Sequence, residues 1–193
     1  MIESLDKSAI AELLAAGCAI RRWQEADAAS LARHANSRAV WENLRDTFPH
    51  PYTRIHATRF LATATTADPP TQFAIVVGGE AVGGIGYGYP EDDAPGGGAE
   101  LGYWLNEAYW GRGIATAVVR AVTAHAFRAH TPLHRIYALS FAWNIASARV
   151  LEKSGYTFER TIHRGAIKDG RAVDQLLHAI IREGGKNRHA ADR

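Results

Sequence analysis

The chain has 193 residues, with 22 Lys+Arg against 20 Asp+Glu, 47% hydrophobic and 22% charged residues. These are globular values, and the length suits one α/β domain with a real core; disorder, collagen and coiled coil are excluded. Apolar runs such as Phe73 to Val77 fall far short of the ~20 residues needed to span a bilayer. No basic-then-apolar N-terminal segment marks export, and the single Cys18 cannot form an internal disulfide. A cytoplasmic location without membrane contact is therefore expected.

In chain order, residues 6–16 read as a short helix stopped by Gly17, and Ala19 to Trp23 as a first strand. Glu25 to Ala35 has helical spacing, with Ala28, Leu31 and Ala32 on one face. A looser region follows, carrying Trp41, Leu44 and Phe48 before Pro49 and Pro51. Thr53 is a candidate cap for a helix over Arg54 to Thr66, ended by Asp68-Pro69-Pro70.

The pattern then turns to strands: Gln72 to Val77, a tight Gly78-Gly79 turn, and Ala81 to Tyr89. Pro90 to Gly98 reads as a flexible acidic loop. Ala99 to Asn106 is a strand, and Trp110-Gly111-Arg112-Gly113 turns it into a helix over Ile114 to His130. Ile136 to Phe141 reads as a buried strand, Asn144 to Ser154 as a helix stopped by Gly155, and Tyr156 to Arg164 as a strand. Lys168-Asp169-Gly170-Arg171 is a hairpin turn into a last strand, Ala172 to Arg182. Residues 1–183 are expected to form one domain, and 184–193 a polar, disordered tail.

Net charge near zero hides an asymmetry. Between Ala108 and Leu151 there is no Asp or Glu, yet Arg112, Arg120, Arg128, Arg135 and Arg149 all fall there. A polyanionic ligand is one reading, and arginines on solvated helix faces are the other.

The strand–Gly-x-Gly–helix unit is the most informative segment. The first turn of a helix leaves main-chain N–H groups unpaired and carries partial positive charge. Glycines let a diphosphate approach that backbone closely. Arg112 adds a cation and Thr116 a hydroxyl. No P-loop is present, and Gly83, Gly84, Gly86 and Gly88 lack dinucleotide-fingerprint spacing; they read as a bulge or a close strand contact.

Trp110-Gly111-Arg112-Gly113-Ile114-Ala115 resembles the acetyl-CoA pyrophosphate loop of the GNAT N-acetyltransferases, with Trp110 where Gln or Arg is usual. Glu100-Leu101-Gly102-Tyr103-Trp104-Leu105 resembles the strand before that loop. Asn144-x-x-Ser147 and Leu151-Glu152-Lys153-Ser154-Gly155-Tyr156 resemble the later helix and strand. Lys168-Asp169-Gly170-Arg171 with Asp174 resembles the final hairpin of the RimJ/RimL-like branch, the ribosomal-protein-alanine N-acetyltransferases.

The resemblance implies a mixed, mostly antiparallel α/β sheet of about seven strands, splayed between the fourth and fifth and flanked by helices. It implies acetyl-CoA as cosubstrate and no metal. Backbone around Tyr103, Trp104 and Leu105 would hold the pantetheine arm. Residues Trp110, Gly111, Arg112, Gly113, Ile114, Ala115 and Thr116 would bind the pyrophosphate, and Asn144 the pantetheine or its bound water. The acceptor would be a primary amine: a protein N-terminus as on ribosomal proteins, or a small amine such as a polyamine, amino acid or aminoglycoside. The helical region between Glu25 and Thr66, with Trp41, Phe48 and Tyr52, would wall its site. A homodimer is a further expectation.

An amine attacking a thioester needs a proton acceptor, oxyanion donors and a proton donor for the leaving thiolate. Many family members place a Tyr where this chain has Leu151. Ser147, one helical turn earlier, is the candidate donor, with a backbone-bonded helix-start serine as the other reading. Glu100, isolated between apolar residues, is the candidate base; His163 and a water relay are the alternatives. Zinc binding by His130 and His134 is disfavoured because Pro132 intervenes and no acid or thiol joins them. Cys18 reads as a packed thiol. The five tryptophans read as core, which argues against nucleic acid. A non-catalytic CoA- or RNA-binding module remains the reading of another class.

Overall fold

The computed structural model describes residues 5–89 and 98–182. The expected acidic loop, apart from Gly98, and the expected tail lie outside the described residues. Helix α1 (Lys7–Ala15) starts at Asp6, whose carboxylate accepts the Ala9 N–H at 2.8 Å. Strand β1 (Ala19–Arg22) follows, one residue shorter than expected. A 3₁₀ turn (Glu25–Asp27) leads into α2 (Ala28–Ala35). The looser region contains a one-turn helix, α3 (Arg38–Trp41), capped by Ser37. Four residues give too little periodicity to show in sequence. Then come α4 (Arg54–Ala64), β2 (Gln72–Val77), β3 (Glu80–Gly88), β4 (Ala99–Leu105), α5 (Ile114–Ala129), β5 (Arg135–Phe141), α6 (Ile145–Lys153), β6 (Thr157–Lys168) and β7 (Arg171–Ile181).

One seven-stranded sheet runs β1-β2-β3-β4-β5-β7-β6. Its neighbours are antiparallel except β4 and β5, which are parallel and register only at Ala99–Ile136 and Glu100–Tyr137. Beyond those two pairs the strands part, as the resemblance implied.

Strand alternation builds a core on each face. Phe73 and Ile75 pack toward α1 and α5 with Val118, Val122 and Leu151. Ala74 and Val76 pack the other way, with Leu31, Ala57 and Leu61 of α2 and α4. Gly83 and Gly84 of β3 are close strand contacts, with a Cβ on Gly84 falling 2.8 Å from Trp104 Nε1 and one on Gly83 2.5 Å from the Trp104 carbonyl oxygen, whereas one on Gly88 would meet nothing within 4 Å. Asp169 and Gly170 take positive φ in the β6–β7 hairpin, as its sequence predicts.

Candidate active site

The fork between β4 and β5 opens into a cleft of about 840 Å³. Its β4 wall is set by register. Asn106 N–H donates to the Val82 carbonyl at 3.0 Å, and Trp104 pairs with Gly84. Main-chain groups alternate along a strand, so those of Trp104 and Asn106 face β3 while those of Tyr103 and Leu105 face the fork. Trp110 Nε1 donates to the Leu105 carbonyl at 2.6 Å, from that free side. Of the three residues expected to hold the arm, Tyr103 and Leu105 therefore present backbone to the fork. Trp104 instead contributes its ring to the opposite face, beside Phe48.

At the mouth of the fork Gly111 and Gly113 have φ of 74° and 79°. Gly113 begins α5 with no side-chain cap. An added Cβ on either glycine would meet nothing within 4 Å. Residues Gly113 to Thr116 of this first turn line the cleft, after a left-handed turn that glycine adopts readily. Arg112 donates to the Ala108 carbonyl at 2.8 Å and lies over the Tyr109 ring, bracing the loop. Ile114 is buried as the loop's apolar anchor.

The positive stretch divides. Arg120 and Arg128 of α5 pair with Glu12 and Asp6, so the solvated-face reading holds for them, whereas Arg135 is buried on β5 and paired with Glu159. Arg149 lines the cleft together with Lys153.

Ser147 lies on the first turn of α6. Asn144 caps that helix, its Oδ1 accepting the Ser147 N–H at 3.0 Å. Ser147 Oγ lies 2.8 Å from Tyr103 OH, across the fork. Burial pushes the Tyr103 phenol up to about 12, so it stays protonated. Ser140 of β5 also lines the fork, and its hydroxyl is buried without a hydrogen-bond partner among the described residues. The sequence reading missed Ser140; its signal is a hydroxyl inside an otherwise apolar strand.

A second cleft, also about 840 Å³, lies on the α2–α4 side. Phe48 stacks on Tyr52 at 4.9 Å, and Trp23 meets Phe60 edge-on at 5.4 Å. Both clefts are lined by Arg45, Phe48, Glu100, Gly102, Tyr103 and Trp104. They meet across one strand. Glu100 stands there, but not isolated: Arg45 donates to its Oε1 at 2.6 Å. His163 lines neither cleft; it is exposed on β6 and bonds Asp174 at 3.0 Å.

Two aromatic expectations need correction. Trp110 and Trp143 are not core; they are 48% and 49% exposed and line the fork. Trp41 lines neither cleft; Lys168 Nζ sits 3.4 Å from its ring centroid. A cation held over the ring accounts for its place outside the apolar core.

The profile of the acetyltransferase (GNAT) domain matches residues 18–157. The chain belongs to the GNAT family. This GNAT domain is 39% identical over 83 residues to a probable N-acetyltransferase, YjcK, of Bacillus subtilis, covering 43% of this chain and 45% of that protein. The matched segment spans about half the length of such curated relatives. Among solved structures, Mycobacterium smegmatis RimJ in complex with CoA-disulfide superposes with a TM-score of 0.75 at 29% identity, over 88% of this chain and 84% of that one. The ribosomal-protein-S5-alanine acetyltransferase of Vibrio fischeri shares the fold, with a TM-score of 0.73 at 22% identity over 87% and 94% of the two chains. No helix among the described residues is long and apolar enough to cross a membrane.

Proposed function

We propose that this GNAT domain is an acetyl-CoA-dependent N-acetyltransferase whose acceptor is a protein N-terminal amine. The observation that carries the reading is the meeting of two clefts across Gly102–Trp104, with Glu100 on one side and Ser147 on the other. The residues fit a coenzyme A: a glycine cradle at a helix start, an unfinished sheet ladder, and an unpartnered buried hydroxyl at Ser140.

When bound, acetyl-CoA supplies a thioester-activated acetyl group. Amides of Gly113, Ile114, Ala115 and Thr116 hold the pyrophosphate, with Trp110, Gly111 and Arg112 shaping the loop. The main chain of Tyr103 would pair with the pantetheine arm, and the Leu105 N–H would donate to the thioester carbonyl oxygen, the Leu105 carbonyl already accepting from Trp110 Nε1. Asn144 holds α6 in place. Ser147 Oγ donates a hydrogen bond toward the leaving sulfur. Glu100 takes the proton of the attacking amine, directly or through water, from the cleft junction. Arg45 occupies one carboxylate oxygen and leaves the other open.

The acceptor assignment draws on the RimJ likeness, together with a second cleft of about 840 Å³ walled by Phe48, Tyr52 and Trp104. The test is a panel of ribosomal-protein N-terminal peptides, polyamines, amino acids and aminoglycosides with acetyl-CoA, read by mass spectrometry. Acetylation of peptide α-amines, lost in Glu100→Gln and reduced in Ser147→Ala, is the expected result. Turnover of small amines alone would replace the acceptor. Coenzyme A binding with no turnover of any amine would make the domain a binder.

A further inference from the structure

Tyr103 OH and Ser147 Oγ are 2.8 Å apart, one on a strand and the other on a helix, facing each other across the fork. Each hydroxyl carries one hydrogen, so within the pair one donates and the other keeps its hydrogen free. The phenol is the more acidic group and the better donor. The other acceptor near Tyr103, the Ser147 carbonyl, is farther away at 3.4 Å and already accepts within the helix. Among the described residues Ser147 Oγ has no other protein partner. With Tyr103 as the donor, the hydrogen kept by Ser147 Oγ is left for the cleft both residues line.

We propose that Tyr103 and Ser147 work as a hydroxyl pair, in which Tyr103 donates to Ser147 Oγ and so turns the serine hydrogen toward the sulfur of the departing coenzyme A. Tyr103 is a positioning residue that acts through Ser147. The step is hydrogen bonding only: no proton leaves the phenol. A serine that already accepts a hydrogen bond is a stronger donor than a lone one. A phenol from β4 thus supports the hydroxyl on α6, in a chain whose Leu151 is buried in the core and has no hydroxyl to offer. The inference rests on Ser147 facing the thiolate, and its test separates the two ideas.

The readout is the pKa of the coenzyme A thiol bound to the enzyme, titrated by thiolate absorbance. Wild type is expected to bind it with a pKa below that of free coenzyme A. Ser147→Ala should raise the bound value by about one pH unit, the scale of a hydrogen bond to a charged group. Tyr103→Phe should raise it in the same direction, and Tyr103→Phe/Ser147→Ala should match Ser147→Ala alone. In steady state Tyr103→Phe should lower kcat several-fold with acetyl-CoA KM unchanged. No change in Ser147→Ala would sink the serine assignment itself. A change in Ser147→Ala but none in Tyr103→Phe, or additive effects in the double variant, would overturn the pair. Should Tyr103→Phe fail to fold, 3-fluorotyrosine at position 103, a more acidic phenol, should lower the bound thiol pKa further. An unchanged value there would equally overturn it.

Discussion

Lys168 Nζ lies 2.9 Å from Asp46 Oδ1, joining the β6–β7 hairpin to the segment that walls the second cleft. The ammonium also donates to the Trp41 carbonyl at 2.9 Å, and Asp46 Oδ2 accepts the Asp169 N–H at 2.8 Å. Lys168 is only 6% exposed, so this clasp is shielded on the lysine side.

Removing the charge while keeping the bulk, as in Lys168→Met, should loosen residues 42–52 more than the fork. The desolvated cation–π contact is worth about 2 kcal/mol. Tm should therefore fall by roughly 4–8 °C for a domain of this size. Acceptor KM should rise several-fold with acetyl-CoA KM unchanged. The Lys168 hydrogen bond, chiefly, holds the Asp46 carboxyl below its usual range. Its contribution is thus full at neutral pH and disappears only as pH falls through that lowered value. Thermal scans from pH 7 to pH 3 on wild type and variant check the sign.

Gly113→Ala tests the cradle. A left-handed φ costs an L residue roughly 1–2 kcal/mol, and no neighbour blocks the added methyl. The fold should survive with that loss of stability, and coenzyme A affinity should drop about tenfold, or about 1.4 kcal/mol, because the methyl takes the space a phosphate would need against the turn. Calorimetry decides it; unchanged affinity would remove the phosphate role of this turn.

Cys18 should be inert in the native protein. It is buried, and desolvation pushes its thiol up to about 11. At pH 8 a disulfide reagent should react about a hundredfold more slowly with the folded than with the urea-unfolded chain. Equal rates would show that the α1–β1 corner opens readily.

His125 and His178 should make the fold acid-sensitive. Desolvation, the leading cause for both, lowers their pKa values. A lowered histidine pKa means the unfolded chain binds more protons below about pH 6.5, so stability falls on acidification through that range. His178 has a buried Nδ1 without a partner, where a second proton gains nothing. Tm should drop between pH 7.5 and 5.5, and less so in His178→Gln.

Much of this was legible in the sequence. The strands β2 to β4 announce themselves by apolar runs next to glycine turns, β5 by its apolar run after Pro132, and the Gly111–Gly113 turn by its place between strand and helix. What stayed hidden is non-local. Arg45 meets Glu100 across 55 residues, and Tyr103 meets Ser147 across 44. No local period encodes such pairs. Trp110 and Trp143 look like core residues because a large apolar ring reads the same whether it packs inward or lines a cleft. Strand alternation could have shown that Trp104 and Tyr103 face opposite sides, but only register says whose amides are free.

Because β4 and β5 share just two residue pairs, the ladder between the two half-sheets is confined to Ala99–Ile136 and Glu100–Tyr137. A guest lying between them acts as mortar. Its arrival should slow amide exchange in both halves together, so that recognition of the coenzyme and consolidation of the scaffold are a single event.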